Sequence, residues 1–287
     1  MPGSSLCFLA AAGALAALLG STAVGAAPVD RTAANPASVA AQEAPPVDVA
    51  LVLAVDISLS MDQGEQQLQR TGYVEALRHP DLLRAIGNGL YQRIAITYVE
   101  WGSATDQQVI LPWTLIEDAA SATAAAAALE AEPISRSRST AISTMLHLGR
   151  ELHARQPSEA MRRVIDISGD GPNNDGGAVT AARDAVLADG ITINGLPVML
   201  RAMGFSPWTI PELDDYYADC VIGGPGAFIL AVRDPADFKS AIRRKLLLEI
   251  AGQVAERVPA NSAQAQAEPP SDCLIGEKLR RQLWQPD

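Results

Sequence analysis

The chain has 287 residues, a net charge of −11 and a sequence pI near 4.8, and 48% of its residues are hydrophobic. That hydrophobic content is enough for a sizeable core, which excludes wholesale disorder. The acidic balance argues against nucleic acid or an anionic membrane surface as the main partner, because both are bound by basic surfaces. The length fits one large domain or two small ones.

The N-terminal segment is typical of an export signal. Residues 6–29 carry no charge and consist mostly of Ala, Leu, Gly and Val, and small residues precede Ala27 as they do at a cleavage site. We therefore expect residues 1–26 to be a signal peptide and the protein to be exported, either to the periplasm or out of the cell. An uncleaved membrane anchor is the alternative, because the segment is just long enough to span a bilayer. The first five residues contain no Lys or Arg, which departs from the usual signal.

Composition divides the remainder of the chain into three parts. Residues 27–46 are rich in Ala and Pro without apolar periodicity, which predicts a flexible leader. Residues 47–252 are strongly patterned and are predicted to form one domain. Residues 253–287 are predicted to be a linker and a short amphipathic helix, since apolar residues recur at helical spacing from Ile275 onward.

Two cysteines remain beyond the predicted signal, Cys220 and Cys273. In an oxidising compartment an even pair suggests one disulfide, which would tie the C-terminal tail to the domain. Two unpaired thiols are the alternative, since the sequence does not give the distance between them.

Strand and helix patterns alternate along the predicted domain. The continuous apolar run Val49–Val55 predicts a strand that is buried on both faces of a sheet. Pro112 places a later strand at an edge. The alternation predicts an α/β fold, a Rossmann-like doubly wound sheet that is mainly parallel, with one antiparallel edge strand and helices on both faces. The further predicted strands are 93–101, 109–115, 163–168, 191–198 and 227–232, and the predicted helices are 63–79, 118–131, 141–154, 175–188 and 235–251.

Oxygen-bearing side chains follow the first predicted strand, at the edge where such sheets bind ligands. Asp56, Ser58 and Ser60 occupy alternate positions, so an extended backbone would direct their side chains to the same side. Hard oxygen ligands of this kind suit Mg²⁺, Mn²⁺ or Ca²⁺. The alternative is a serine-rich loop in which Asp56 caps the helix that follows.

Two later loops are expected at the same edge. Asp170 follows the 163–168 strand between two glycines, and Thr140 opens a helix after a polar loop, where it could add a third hydroxyl. The alternatives are a turn aspartate at Asp170 and a helix N-cap at Thr140. Asp175 is predicted to be the N-cap of the next helix.

Together these residues resemble the von Willebrand factor A domain with its metal-ion-dependent adhesion site, or MIDAS. The DxSxS pattern of that site corresponds to Asp56, Ser58 and Ser60, the threonine of its second loop to Thr140, and the aspartate of its third loop to Asp170. The resemblance implies a Rossmann-like sheet and a divalent cation, Mg²⁺ or else Mn²⁺ or Ca²⁺, at these five positions. It also implies a partner protein whose acidic side chain completes the coordination. We expect the aspartate of the third loop to reach the cation through water.

More narrowly, the chain resembles the bacterial exported group of A-like domains known as DUF1194, over residues 47–252. The segments that carry this resemblance are VDVALVLAVDISLSM, RSTAIS, DISGDGPNN and DCVIGGPGAF.

Four residues near the predicted site are candidates for contacts with a partner. Arg136 and Arg138 lie in the loop before the second-loop threonine and would either contact an acidic partner or be solvated charges. Phe205 and Trp208 lie in a long aromatic segment that leaves the same edge of the sheet. They would either shape the partner surface or be buried against the closing helix.

The motifs favour a cation-dependent protein-binding domain over an enzyme. The loop after the first strand contains neither GxGxxG nor GK[ST], and the sequence lacks the GxSxG and HExxH patterns of serine hydrolases and zinc proteases. A metal-dependent phosphatase is the stronger enzymatic alternative, although Ser58 stands where such enzymes usually carry a carboxylate. A structural domain with an unoccupied metal site is the other alternative.

Overall fold

The computed structural model describes residues 44–200, 210–252 and 270–284. The chain divides into two compact units, Met1–Gln42 and Glu43–Asp287, and all of the described residues belong to the second unit. The predicted signal peptide lies outside the described residues. The strands are β1 (Ala44–Asp56), β2 (Ile94–Trp101), β3 (Gln107–Ile116), β4 (Ser158–Gly169) and β5 (Thr192–Pro197). The α-helices are α1 (Gln63–Arg78), α2 (Pro80–Gly87), α3 (Ala119–Ala131), α4 (Ile142–Ala154), α5 (Val179–Ala188), α6 (Leu213–Tyr216), α7 (Phe238–Ala251) and α8 (Ile275–Trp284).

The five strands form one sheet in the order β3-β2-β1-β4-β5. β1 pairs in parallel with both β2 and β4, β5 pairs in parallel with β4, and β3 pairs antiparallel with β2 at one edge. The expected doubly wound, mainly parallel α/β fold with one antiparallel edge strand is confirmed. None of the helices in the described ranges is long and apolar enough to cross a membrane.

The continuous apolar run in β1 is explained by helices on both faces of the sheet. Val49, Leu51 and Leu53 pack into a core with α1, α3 and α7, whereas Val52 and Ala54 pack into a second core with α4 and α5. All five side chains are fully buried. Burying both faces removes the polar alternate positions that a one-sided strand would have.

Two predicted elements differ from the structure. Residues 227–232 form no full strand and make only isolated bridges at Ile229 and Val232, beside β5. α5 begins at Val179 after the N-cap residue Ala178, so the assignment of Asp175 as its N-cap is wrong. Asp175 instead accepts hydrogen bonds from the backbone NH of Ala104 and from Arg280 of α8. α2, which the apolar pattern did not indicate, begins immediately after α1 because Pro80 is compatible with a first helical position.

A buried group of charges attaches α7 to the sheet. Lys245 Nζ donates to Asp166 Oδ1 at 2.5 Å and to Glu249 Oε1 at 2.7 Å, and Asn194 Nδ2 donates to Glu249 Oε2 at 2.6 Å. The side chains of all four residues are at least 97% buried. Because each buried charge has a partner of opposite sign or a hydrogen bond, the desolvation cost is offset and α7 is fixed above β4 and β5.

His153 is a buried titratable group at the end of α4. Its Nε2 lies 3.1 Å from the carbonyl oxygen of Val164, and the side chain packs beside Trp113. Burial lowers the pKa of His153 from 6.5 to about 4, with a smaller lowering from the charge of Arg163. The folded protein therefore holds this imidazole neutral.

We expect this histidine to make the fold sensitive to mild acid. Between pH 6.5 and pH 4 the unfolded chain binds the proton and the folded chain does not. The free energy of unfolding should therefore decrease as the pH is lowered from 6.5 to 4, by at most about 3 kcal/mol. Denaturant titrations at several pH values should show a shallower fall in His153→Gln, because glutamine can still donate to Val164. His147→Gln, which changes an exposed residue of the same helix, should follow the wild type. Parallel curves for all three proteins would contradict the assignment.

Candidate metal centre

Asp56 is the last residue of β1 and is completely buried. Its Oδ1 accepts a hydrogen bond from the backbone NH of Ser58 at 2.7 Å, which turns the chain away from the sheet. Its Oδ2 is buried and finds no hydrogen-bond partner within the described part of the chain. The N-cap of α1 is Asp62, which forms a capping box with Glu65, so the alternative that Asp56 caps this helix is wrong.

The structure brings the two serines of the first loop together with the aspartate of the third. Ser58 Oγ and Ser60 Oγ are 2.7 Å apart, and Ser60 Oγ donates to Asp170 Oδ1 at 2.5 Å. The two aspartates also influence each other, since the charge of Asp170 raises the pKa of Asp56. Four of the five predicted metal ligands therefore form one polar cluster at the carboxyl ends of β1 and β4.

The second loop, which carries Thr140, is bonded to both of the others. The backbone NH of Ser137 donates to the carbonyl oxygen of Ile57 at 3.0 Å. Thr140 N donates to Asn174 Oδ1 at 2.9 Å, and Asn174 N donates to Thr140 O at 2.9 Å. Thr140 is buried and is placed through its backbone contacts with the third loop. The three loops thus form one hydrogen-bonded unit.

The electrostatics of the cluster favour binding of a cation. Burial raises the pKa of Asp56 well above its usual value, and the nearby charge of Asp170 raises it further, while hydrogen bonds from Ser58 lower it. A second charge close to a buried carboxylate is costly unless a cation compensates for it. The unpartnered Asp56 oxygen, a second carboxylate and two hydroxyls fit a hard divalent cation. The cluster offers two carboxylates and two hydroxyls, and among the described residues no group of three or more His, Cys, Asp or Glu side chains suited to a metal ion is found.

Tyr217, which the sequence analysis did not assign to the site, lies beneath it. Its hydroxyl is buried without a hydrogen-bond partner among the described residues, and a Cβ built on Gly169 would lie 2.8 Å from it. Burial raises the pKa of this phenol well above its usual value, and the charges of Asp56 and Asp170 raise it further. The sequence placed Tyr217 in the aromatic segment that leaves the same edge of the sheet. It gave no signal that Tyr217 contacts the aspartates, because either of them is more than forty residues away in the chain.

The predicted partner-contact residues have different positions. Arg136 Nη2 donates to the carbonyl oxygen of Met61 at 3.0 Å and so joins the first and second loops, while Arg138 is exposed. Phe205 and Trp208 lie outside the described residues.

Cys220 and Cys273 form a disulfide in the structure, with Cα atoms 5.4 Å apart. The bond joins the segment after α6 to the start of α8.

A family model described as a protein of unknown function, DUF1194, matches residues 46–254. The chain belongs to the DUF1194 family. No curated protein matches the sequence.

Solved structures similar to the DUF1194 chain share its fold at low sequence identity. Proximal thread matrix protein 1 (PTMP1) from the mussel byssus is 12% identical with a TM-score of 0.53, over 72% of this chain and 49% of that one. The pilus adhesin SpaC from Lactobacillus rhamnosus GG is 14% identical with a TM-score of 0.51, over 73% of this chain and 30% of that one. A von Willebrand factor type A structure from Catenulispora acidiphila is 16% identical over 71% of this chain and 43% of that one, with a TM-score of 0.49.

The similarities to PTMP1 and SpaC show the fold. The chain spans less than half the length of each of the three structures. Another structure of PTMP1 is described as having a zinc-occupied MIDAS motif. The expected resemblance to the DUF1194 group and to A-like domains is confirmed by the family match and by the fold.

Gly169 provides a test of the geometry beneath the cluster. We expect Gly169→Ala to displace Tyr217 or Asp56, because the new methyl group would lie within 3 Å of an oxygen of each. The free energy of unfolding should fall by about 1–3 kcal/mol, as for other overpacked sites. Gly177→Ala should change it by less than about 0.5 kcal/mol, because no atom lies within 4 Å of a Cβ built there. Thermal unfolding of both variants checks this, and equal losses would contradict the packing described.

Proposed function

We propose that this DUF1194 protein is an exported domain that binds a divalent cation and, through it, an acidic side chain of a partner protein. Mg²⁺ is the preferred ion in this proposal, with Mn²⁺ or Ca²⁺ as substitutes. The ligands are Asp56, Ser58, Ser60, Thr140 and Asp170. The observation that carries the proposal is the buried, unpartnered Asp56 Oδ2 beside a chain of two hydroxyls and a second carboxylate.

The donor set explains why a partner's carboxylate would be the preferred further ligand. Mg²⁺ takes six oxygen ligands and usually keeps several waters. Only two of the five proposed ligands are charged, so the cation would retain enough affinity for a third carboxylate. Asp170 already accepts a hydrogen bond from Ser60, which supports the expectation that it reaches the cation through water.

Exposed residues beside the proposed metal ligands support recognition of a protein. Leu59 lies between the two serine ligands and is 47% exposed, so an apolar contact is available beside the cation. Arg138 is exposed in the loop that carries Thr140, where it would attract an acidic partner. The similar structures include a pilus adhesin and a byssus protein with a zinc-occupied MIDAS motif.

Export follows from the N-terminal segment in this proposal. Residues 1–26 would direct the chain out of the cytoplasm, and residues 47–252 would form the A-like domain. The disulfide between Cys220 and Cys273 supports an oxidising compartment, where such bonds persist.

Asp56→Ala is the direct test of cation binding. We expect isothermal titration with Mg²⁺ and Mn²⁺ to give heat with the wild type and none with the variant. Without the cation the variant should unfold within about 1 kcal/mol of the wild type, because the hydrogen bonds lost from Ser58 and the Asp170 backbone are offset by the removal of a buried acidic group. Asp62→Ala, the matched control, should lose about 1 kcal/mol as a removed helix cap while binding the cation normally. No heat from the wild type would leave the domain with a structural role and refute the proposal.

Partner recognition is tested separately in envelope extract. Proteins retained by the wild type in Mg²⁺ should be lost with EDTA and should also be absent with Asp56→Ala. Retention that ignores both changes would contradict cation-dependent adhesion. Turnover of phosphoester or ester substrates that depends on Asp56 would instead favour a metal-dependent hydrolase.

A further inference from the structure

The C-terminal helix α8 is bonded to the segment that follows Asp170. Asn173 Nδ2 donates to Glu277 Oε1 at 2.7 Å. Arg280 Nη1 donates to the carbonyl oxygen of Asn174 at 2.8 Å and to Asp175 Oδ1 at 2.6 Å. Three consecutive residues of the third loop are therefore held by two side chains of α8.

The contact between α8 and this loop is close enough to exclude a side chain. A Cβ built on Gly276 would overlap the carbonyl oxygen of Asn173, so the helix backbone itself lies against the loop. Ile275 and Cys273 pack on the core formed with α4 and α5. The helix is thus seated on the domain by apolar as well as polar contacts.

Residues 173–175, which we call the hub, connect α8 to the rest of the proposed metal site. Asn174 makes two hydrogen bonds with Thr140: its side-chain Oδ1 accepts from Thr140 N, and its backbone NH donates to Thr140 O. Asn173 Oδ1 accepts from the backbone NH of Ser143 at the start of α4. Asp175 Oδ2 accepts from the backbone NH of Ala104. A displacement of the hub would therefore be transmitted to the second loop.

The disulfide adds a second set of contacts to the same loop. Cys220 belongs to the segment that begins with α6, in which Tyr216 Oη accepts a hydrogen bond from Asn173 N at 3.1 Å. Tyr217 in this segment lies against Gly169. Ser271 N also donates to Asp219 Oδ2 at 2.8 Å. The third loop thus lies between α8 and the segment that contains Cys220. The disulfide joins that segment to Cys273, two residues before α8 begins.

We propose that the disulfide-linked helix α8 is a positioning element that clamps the hub and so holds Thr140 and Asp170 in place for the cation. The proposal rests on the cation-binding function proposed above. A helix of ten residues is marginal on its own. The disulfide keeps α8 at a high effective concentration beside the hub, so that the polar contacts of Glu277 and Arg280 can form.

The test uses the full chain and separates the clamp from general stability. The variant is Glu277→Ala with Arg280→Ala, and the matched control is Arg281→Ala, which changes an exposed arginine of the same helix. A second variant, Cys220→Ala with Cys273→Ala, removes the covalent link. Amide hydrogen exchange is measured without metal over residues 169–176 and over α3, which lies on the opposite face of the sheet. Mg²⁺ and Mn²⁺ affinities are then measured by titration.

Both variants should exchange faster than the wild type over residues 169–176, while α3 and the Arg281→Ala protein remain unchanged. Cation affinity should fall about tenfold, as for other residues that orient metal ligands. Faster exchange of the loop in a chain whose wild type binds no cation would uphold the clamp and refute the proposed function. Unchanged exchange of residues 169–176, or equal acceleration in α3, would overturn the clamp. Unchanged affinity in a chain that binds the cation would overturn its positioning role.

Discussion

The buried carboxylate of Asp56 is the constraint on which the arrangement of the loops depends. It ends the central strand of the sheet, with a parallel neighbour on each side, and one of its oxygens lacks a partner among the described residues. A second carboxylate approaches it from the next strand. A buried carboxylate beside a second acidic group is unfavourable in its charged form unless positive charge is supplied, since desolvation and the neighbouring charge both penalise that form. The folded chain therefore retains an electrostatic cost at the position where the proposed cation would remove it.

The buried aspartate beside Lys245 provides a contrast with Asp56. Asp166, on the strand that ends just before Asp170, is almost as deeply buried as Asp56, but Lys245 and the hydrogen bonds around Glu249 compensate its charge from within the chain. Within the described residues, Asp166 thus has a buried cation as its partner, as does Glu100 in its ion pair with Arg70, whereas Asp56 has a neighbouring carboxylate. Purely structural burial of aspartate is expected to resemble the first kind, whereas sites that bind ligands resemble the second.

Sequence pattern predicted the architecture well because its signals are local. The apolar run in β1 required cover on both faces, and Pro112 indicated an edge strand; both features are present in the sheet. Asp56, Ser58 and Ser60 could be grouped because they lie within five residues of one another. The contribution of Tyr217 could not be predicted, since it depends on a long-range approach to Gly169. Asp175 was wrongly assigned because an aspartate before a helical pattern is usually its cap, whereas here its carboxylate bonds to Ala104 and Arg280.

The edge strand β3 also affects how the molecule can associate with other molecules. β3 pairs with β2 through an irregular register, with shifts on both sides of Tyr98, and its Pro112 has no backbone NH to offer. Interrupted edges of this kind are poor templates for strand addition by a neighbouring chain. The β3 side of the sheet is therefore protected against edge-to-edge association between molecules, which is the first step of fibre formation through a sheet.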